Sequence, residues 1–184
     1  MTQPRSRRAY AWLSCREKAC CRRGADITDA DIARIAAGLG VEASHLVTPE
    51  DAGDEDPAAI ALGPGPRVKL RLTTTARGCV FLVRTRSGAG RCGLGDLAPA
   101  ACRIFPADPA RPDPGVRPEP GCECRSWTDT DLDGDELATP VRAAHDELIG
   151  WHDRIARWNA DNAGADGLDL ADFLRHLRDR GTAR

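Results

Sequence analysis

Gly78-Cys79-Val80-Phe81-Leu82-Val83-Arg84-Thr85-Arg86-Ser87-Gly88-Ala89-Gly90-Arg91-Cys92 is the stretch on which the fold turns. The apolar run from Cys79 to Val83 has the length of a strand. Ser87-Gly88-Ala89-Gly90 supplies the residues of a turn, so 79–92 predicts a β-hairpin with a cysteine at each end.

Upstream, Val68, Leu70 and Leu72 alternate with Lys69, Arg71 and Thr73, the period of a half-buried strand. Residues 51–67 are acidic and then carry Gly63-Pro64-Gly65-Pro66, so they predict a loop. A short helical turn is expected near 44–47. Before it, Thr28 is a good N-cap and Asp31 sits at the third helical position. Ile32, Ile35, Ala36 and Leu39 form an apolar stripe, and Gly40 is placed to cap the end of that helix.

Downstream, a helical turn around 98–103 carries Cys102. Six prolines between 106 and 120 exclude regular helix or strand there. The last third is helical. Val141, Ala144, Leu148, Trp151, Ile155 and Trp158 recur at intervals of three and four, and Leu170, Phe173, Leu174 and Leu177 repeat the pattern. The expected fold is therefore α+β: a small metal-stabilised domain with a short β-hairpin, surrounding helices and a helical C-terminal third. The expected division is a cysteine-cluster domain over 1–125 and a helical extension packed on it over 126–184.

The metal enters through composition. Of 184 residues, Leu, Ile, Val and Phe make only 33, and 29 of the 76 hydrophobic residues are alanine, so the apolar core is thin. The net charge of −2 argues against disorder and gives no reason to expect nucleic acid or an anionic membrane as partner. No stretch has the roughly 18 apolar residues of a membrane helix. The excess of arginine (24) over lysine (2), with so much alanine, reflects the codon usage of a GC-rich bacterial genome.

Eight cysteines offer the missing cross-links: Cys15, Cys20, Cys21, Cys79, Cys92, Cys102, Cys122 and Cys124. The run from Ala9 to Ser14 is too short for the apolar core of an export signal, which points to a cytoplasmic protein with reduced thiols. Thiolates are soft ligands for zinc and iron. A structural zinc supplies on the order of 10 kcal/mol, comparable to the whole stability of a domain. There is no Cys-x-x-Cys pair, so zinc ribbons and thioredoxin chemistry lose support. The plainer readings are buried free thiols and a secreted disulfide framework.

Cys15-Arg-Glu-Lys-Ala-Cys20-Cys21, followed by Ile27-Thr28-Asp29-Ala30-Asp31-Ile32-Ala33-Arg34-Ile35, resembles the opening of the YkgJ family of cysteine-cluster proteins. Gly78-Cys79-Val80-Phe81-Leu82, then Arg91-Cys92, then Cys102-Arg103-Ile104-Phe105-Pro106 is similar to that family's second block. The two blocks span residues 12–106. Many members open with Cys-x-x-Cys-x-x-Cys-Cys, whereas only Cys15 precedes the pair here. The usual Arg-Pro before the last motif cysteine is replaced by Leu97-Ala98-Pro99-Ala100-Ala101.

The resemblance implies a zinc- or iron-chelating protein, with Cys15, Cys20, Cys21, Cys79, Cys92 and Cys102 as ligands. Cys122 and Cys124 would be an addition that completes a site or forms a second one. Six to eight thiolates exceed the four that one zinc takes, which leaves two zincs or an iron–sulfur cluster with spare thiols. The alternatives are an iron–sulfur redox partner and a protein-modifying enzyme related to the flagellin lysine methylases. No glycine-rich cofactor loop or other catalytic motif supports the enzyme. The protein or small-molecule partner is not identified.

Arg103 and the basic arm over 5–23 lie near these thiols in sequence, where cations offset thiolate charge. Asp129-Thr-Asp131-Leu-Asp133-Gly134 opens like a calcium loop, but its twelfth position is Pro140 where a glutamate is needed, so it is read as an acidic turn before a helix. His145 and His152 lie two turns apart, not at the three- or four-residue spacing of a metal pair. His45 and His176 have no evident partner in the sequence.

Overall fold

The computed structural model describes residue 21 and residues 24–86, 90–118, 127–132 and 134–181. Helices make up 43% and short antiparallel strand pairs 17%, which makes the fold α+β with a helical C-terminal region, as expected. The chain divides into two compact units, one holding Thr74–Leu148 with the segment up to Ala25, the other Asp26–Thr73 with Ile149–Arg184. This division does not follow the boundary at 125/126 expected from the sequence. The long helix that was assigned to a C-terminal extension contributes its first half to one unit and its second half to the other.

The unit without cysteines starts with α1 (Asp29–Leu39). Thr28 caps it: its hydroxyl accepts from the Asp31 amide at 3.1 Å, and the Asp31 carboxylate accepts from the Thr28 amide at 3.4 Å. Gly40 ends the helix in the left-handed conformation, φ 67°, as its sequence position predicts. Ile32 and Ile35 are buried, but Leu39 is 42% exposed, because the inward stripe ends a turn earlier than its period implies.

A 3₁₀ turn (Ala43–His45) leads into β1 (Val47–Asp51), which pairs antiparallel with β2 (Val68–Leu72) from Val47↔Leu72 to Asp51↔Val68. In β2, Leu70 and Leu72 are buried as their alternation predicts. β1 was not expected. It contains Pro49, which an edge strand tolerates, and only Val47 is buried. Within the expected loop 51–67, Ile60 exchanges two backbone hydrogen bonds with Val68, at 2.7 and 3.0 Å.

Two further helices complete the fold, α3 (Gly134–Asp161) and α4 (Leu170–Gly181), numbered after α2 below. From α3, Trp158 donates its indole N–H to the Ala61 carbonyl, and Asn159 bonds the Ala61 amide and the Ala59 carbonyl, all within 2.9 Å. Phe173 of α4 is fully buried, with ring centroids 5.7 Å from Trp151 and 5.2 Å from Trp158.

The cysteine-bearing unit holds the remaining strands. β3 (Thr74–Thr75) pairs with β4 (Gly78–Cys79), and β5 (Leu82–Arg84) pairs with β6 (Gly90–Cys92). The strand expected over 79–83 is thus broken at Val80 and Phe81. Cys79 pairs back to Thr74, while Leu82 pairs forward to Cys92, so the chain changes partner between them. The turn expected at 87–90 lies mostly outside the described residues. A short helix α2 (Ala100–Arg103) carries Cys102. Its neighbours Ile104 and Ala107 pack with Leu137, Val141 and Ala144 of α3 in a small cluster.

The described part of the proline-rich segment, 106–118, has no regular structure beyond an Ala107↔Val116 bridge, as expected. Arg117 organises it. Its guanidinium donates to the carbonyls of Ala101 and Ala107, at 3.1 and 3.0 Å, and lies 5.3 Å from the centroid of Phe105. Among the described residues, no helix is long and apolar enough to cross a membrane.

Candidate functional site

Four of the eight cysteines fall within the described residues. Cys79 ends β4, Cys92 ends β6, Cys102 sits in α2, and Cys21 precedes the first strand pair in sequence. All four are half-buried and belong to the same compact unit. Cys15, Cys20, Cys122 and Cys124 lie outside the described residues, as does the basic arm apart from Cys21.

Among the described residues, no three histidine, cysteine, aspartate or glutamate side chains gather to hold a metal ion. Cys21, Cys79, Cys92 and Cys102 therefore do not complete a centre by themselves. Their chemistry still fits zinc or iron, since both ions take thiolates from separate segments.

An open cleft of about 360 Å³ lies on the strand pairs, lined by Thr75, Arg77, Cys79, Val80, Leu82 and Arg84. The Thr75 hydroxyl accepts from the Arg77 amide at 3.1 Å and donates to the Gly78 carbonyl at 3.3 Å, which fixes the two-residue turn between β3 and β4. Gly78, at φ 105°, takes a conformation that side chains disfavour. The turn and the change of partner after Cys79 thus place one thiol and two guanidinium groups around a common space.

Arg77 and Arg84 were not singled out from the sequence. The signal was there: 74–95 carries Arg77, Arg84, Arg86 and Arg91 and not one acidic residue, in a chain of net charge −2. Arg103, the cation chosen instead, is exposed on α2.

The other candidates have structural places. Asp131 and Thr128 form a capping box on a 3₁₀ turn (Asp129–Asp131), and the Asp129 carboxylate accepts from the Val116 amide at 2.7 Å. His145 Nδ1 is 3.1 Å from the Pro109 carbonyl oxygen. His152 is half-buried, with burial holding its pKa below the ordinary value. His176 packs edge-on against Trp158 at 5.0 Å, and His45 is exposed at the end of its 3₁₀ turn.

Comparison with family models, with curated proteins and with solved structures finds no match to this chain.

Proposed function

We propose that this is a cysteine-cluster protein that chelates zinc or iron, the iron in an iron–sulfur cluster or as single ions. One observation carries the reading. All four described cysteines lie in the unit that holds the alanine-rich cluster around Val141, while the stretches 26–73 and 149–184 that make up the other unit contain no cysteine at all. A domain that buries too little apolar surface gains most from a metal that ties distant segments together. The order of Cys79, Cys92 and Cys102 along the chain, similar to the YkgJ series, supports the same reading.

In this proposal Cys21, Cys79, Cys92 and Cys102 contribute ligands, no three of them to one ion, and Cys15, Cys20, Cys122 and Cys124 complete the four-coordinate site or sites. When bound, the metal closes the loops that carry these thiols. The chain's own part is to present the thiolates on short, well-fixed elements: a two-residue strand, the end of a hairpin and one turn of helix.

Elemental analysis and visible absorption of anaerobically purified protein test the proposal. Stoichiometric zinc in a colourless protein supports a structural zinc site. A brown protein absorbing near about 400 nm, with iron and sulfide, supports a cluster. Less than a tenth of an equivalent of any transition metal, unchanged after reconstitution, overturns the proposal.

A further inference from the structure

We infer that the cleft on β3, β4 and β5 binds the oxyanion of a small ligand, a phosphate or carboxylate joined to a compact apolar group. Two guanidinium groups, Arg77 and Arg84, line it, and among the described residues no acidic side chain does. The stretch from 74 to 95 that forms these strand pairs carries four arginines and no acid, so it is itself positively charged in a chain that is slightly negative overall. A concave site concentrates the potential of such charges, and guanidinium pairs match the planar oxygens of carboxylate and phosphate.

The rest of the lining gives the second half of the ligand. Val80 and Leu82 form an apolar wall beside the arginines. Val80 is 43% exposed, so the wall is reachable from solvent. The volume is at the small end of ligand pockets, which run from about 300 to 1,000 Å³. It suits one ring or a short branched chain next to the anionic group. Among the described residues no aromatic side chain lines the cleft, so the stacking platform that a single-stranded nucleic acid would use is not among them.

The inference rests on the arginines and not on the metal. Cys79 enters only as part of the wall.

The test is isothermal titration of the full chain, at its measured metal content, with inorganic phosphate, phenyl phosphate and benzoate. The expected result is saturable one-site binding of phenyl phosphate, tighter than that of inorganic phosphate. The ratio of phenyl phosphate to benzoate affinity tells which oxyanion the arginines prefer. Arg77→Ala and Arg84→Ala should each weaken binding at least about ten-fold, as loss of a charge-assisted hydrogen bond implies, with metal content and circular dichroism unchanged. Arg77→Lys should recover part of the loss, since it keeps the charge without the planar fork. Failure of both aromatic probes to bind at 10 mM, or equal binding by the alanine variants, overturns the inference. Loss of metal or fold in both Arg77→Ala and Arg77→Lys also overturns it, because the arginine would then be structural. Capture of polyglutamate without either small probe overturns it in favour of an acidic protein partner.

Discussion

Trp151, Trp158 and Phe173 meet in the cysteine-free unit, where Ile35, Ile60 and Leu72 are also nearly or fully buried. In the cysteine-bearing unit Phe105 and Trp127 form one buried aromatic pair, and a described cluster holds Ala100, Ile104, Ala107, Leu137, Val141 and Ala144. Half of those six are alanines, which bring little apolar area. Burial contributes about 25 cal/mol per Å², so three aromatic rings outweigh three methyl groups several-fold. The hydrogen bonding differs as well. The cysteine-free unit ties its long loop to α3 with three bonds from Trp158 and Asn159, whereas among the described residues of the other unit Arg117 bonds two carbonyls and the strand pairs are two and three residues long. Strand pairs this short have little stability of their own. The described cysteines fall in the unit with the shortest strand pairs, and that placement gives the proposed metal its physical task.

Metal removal breaks the comparison most directly. On the proposed function, a strong chelator with a reductant should unfold the cysteine-bearing unit, a loss on the order of 10 kcal/mol. Hydrogen exchange read by mass spectrometry should show protection lost over 90–118 and kept in α1, β2 and α4. Trp127, which packs edge-on against Phe105 with centroids 6.0 Å apart, should change its fluorescence with the first unit. Protection lost equally in both units, or in neither, would mean that the two are not held by different means.

The second unit has the complementary weak point. Phe173→Ala removes a fully buried ring between Trp151 and Trp158 and should cost about 3–5 kcal/mol. The loss should appear as a lower denaturant midpoint for α1, β2 and α4, of the same size with and without chelator. A loss that grows when metal is stripped would show that the aromatic core leans on the metal centre.

What the sequence made legible is what neighbours along the chain determine. The caps of α1, the alternation in β2 and the stripe from Val141 to Trp158 depend on spacing of a few residues, and each forms as its pattern implies. What it hid depends on partners far away. β1 forms because β2 offers an edge, although Thr48, Pro49, Glu50 and Asp51 face water. The break at Val80 and Phe81 follows from a change of partner that no apolar run announces. Arg117 looks like one arginine among 24 until the carbonyls of Ala101 and Ala107 converge on it. The same holds for the candidate site. The hairpin bearing Cys92 and the helical turn bearing Cys102 could be read locally, but the proposed gathering of thiols from distant segments would be long-range, and the placing of Arg77 and Arg84 on one cleft depends on the change of strand partner between them.

The smallest effect separates the two units by pH. Partial burial holds the His152 imidazole below its ordinary 6.5, and the nearby Asp56 and Asp153 carboxylates oppose that shift without reversing it. The folded chain therefore resists a proton that the unfolded chain accepts. The stability tied to His152 is complete above its ordinary value and is lost as the pH falls toward the folded value. His152 belongs to the cysteine-free unit, so this loss should be the same in metal-loaded and metal-stripped protein. Protonation of thiolates in the other unit would instead weaken metal binding and vanish once the metal is gone. Denaturant titrations of wild type and His152→Gln, from pH 8 to pH 5, provide the check. The difference between them should be constant above about pH 7 and shift in favour of the variant below the ordinary histidine value. A difference that ignores pH would show that the fold leaves the imidazole's proton affinity unchanged, and one that moves the other way would show that Asp56 and Asp153 favour its charge more strongly than burial opposes it.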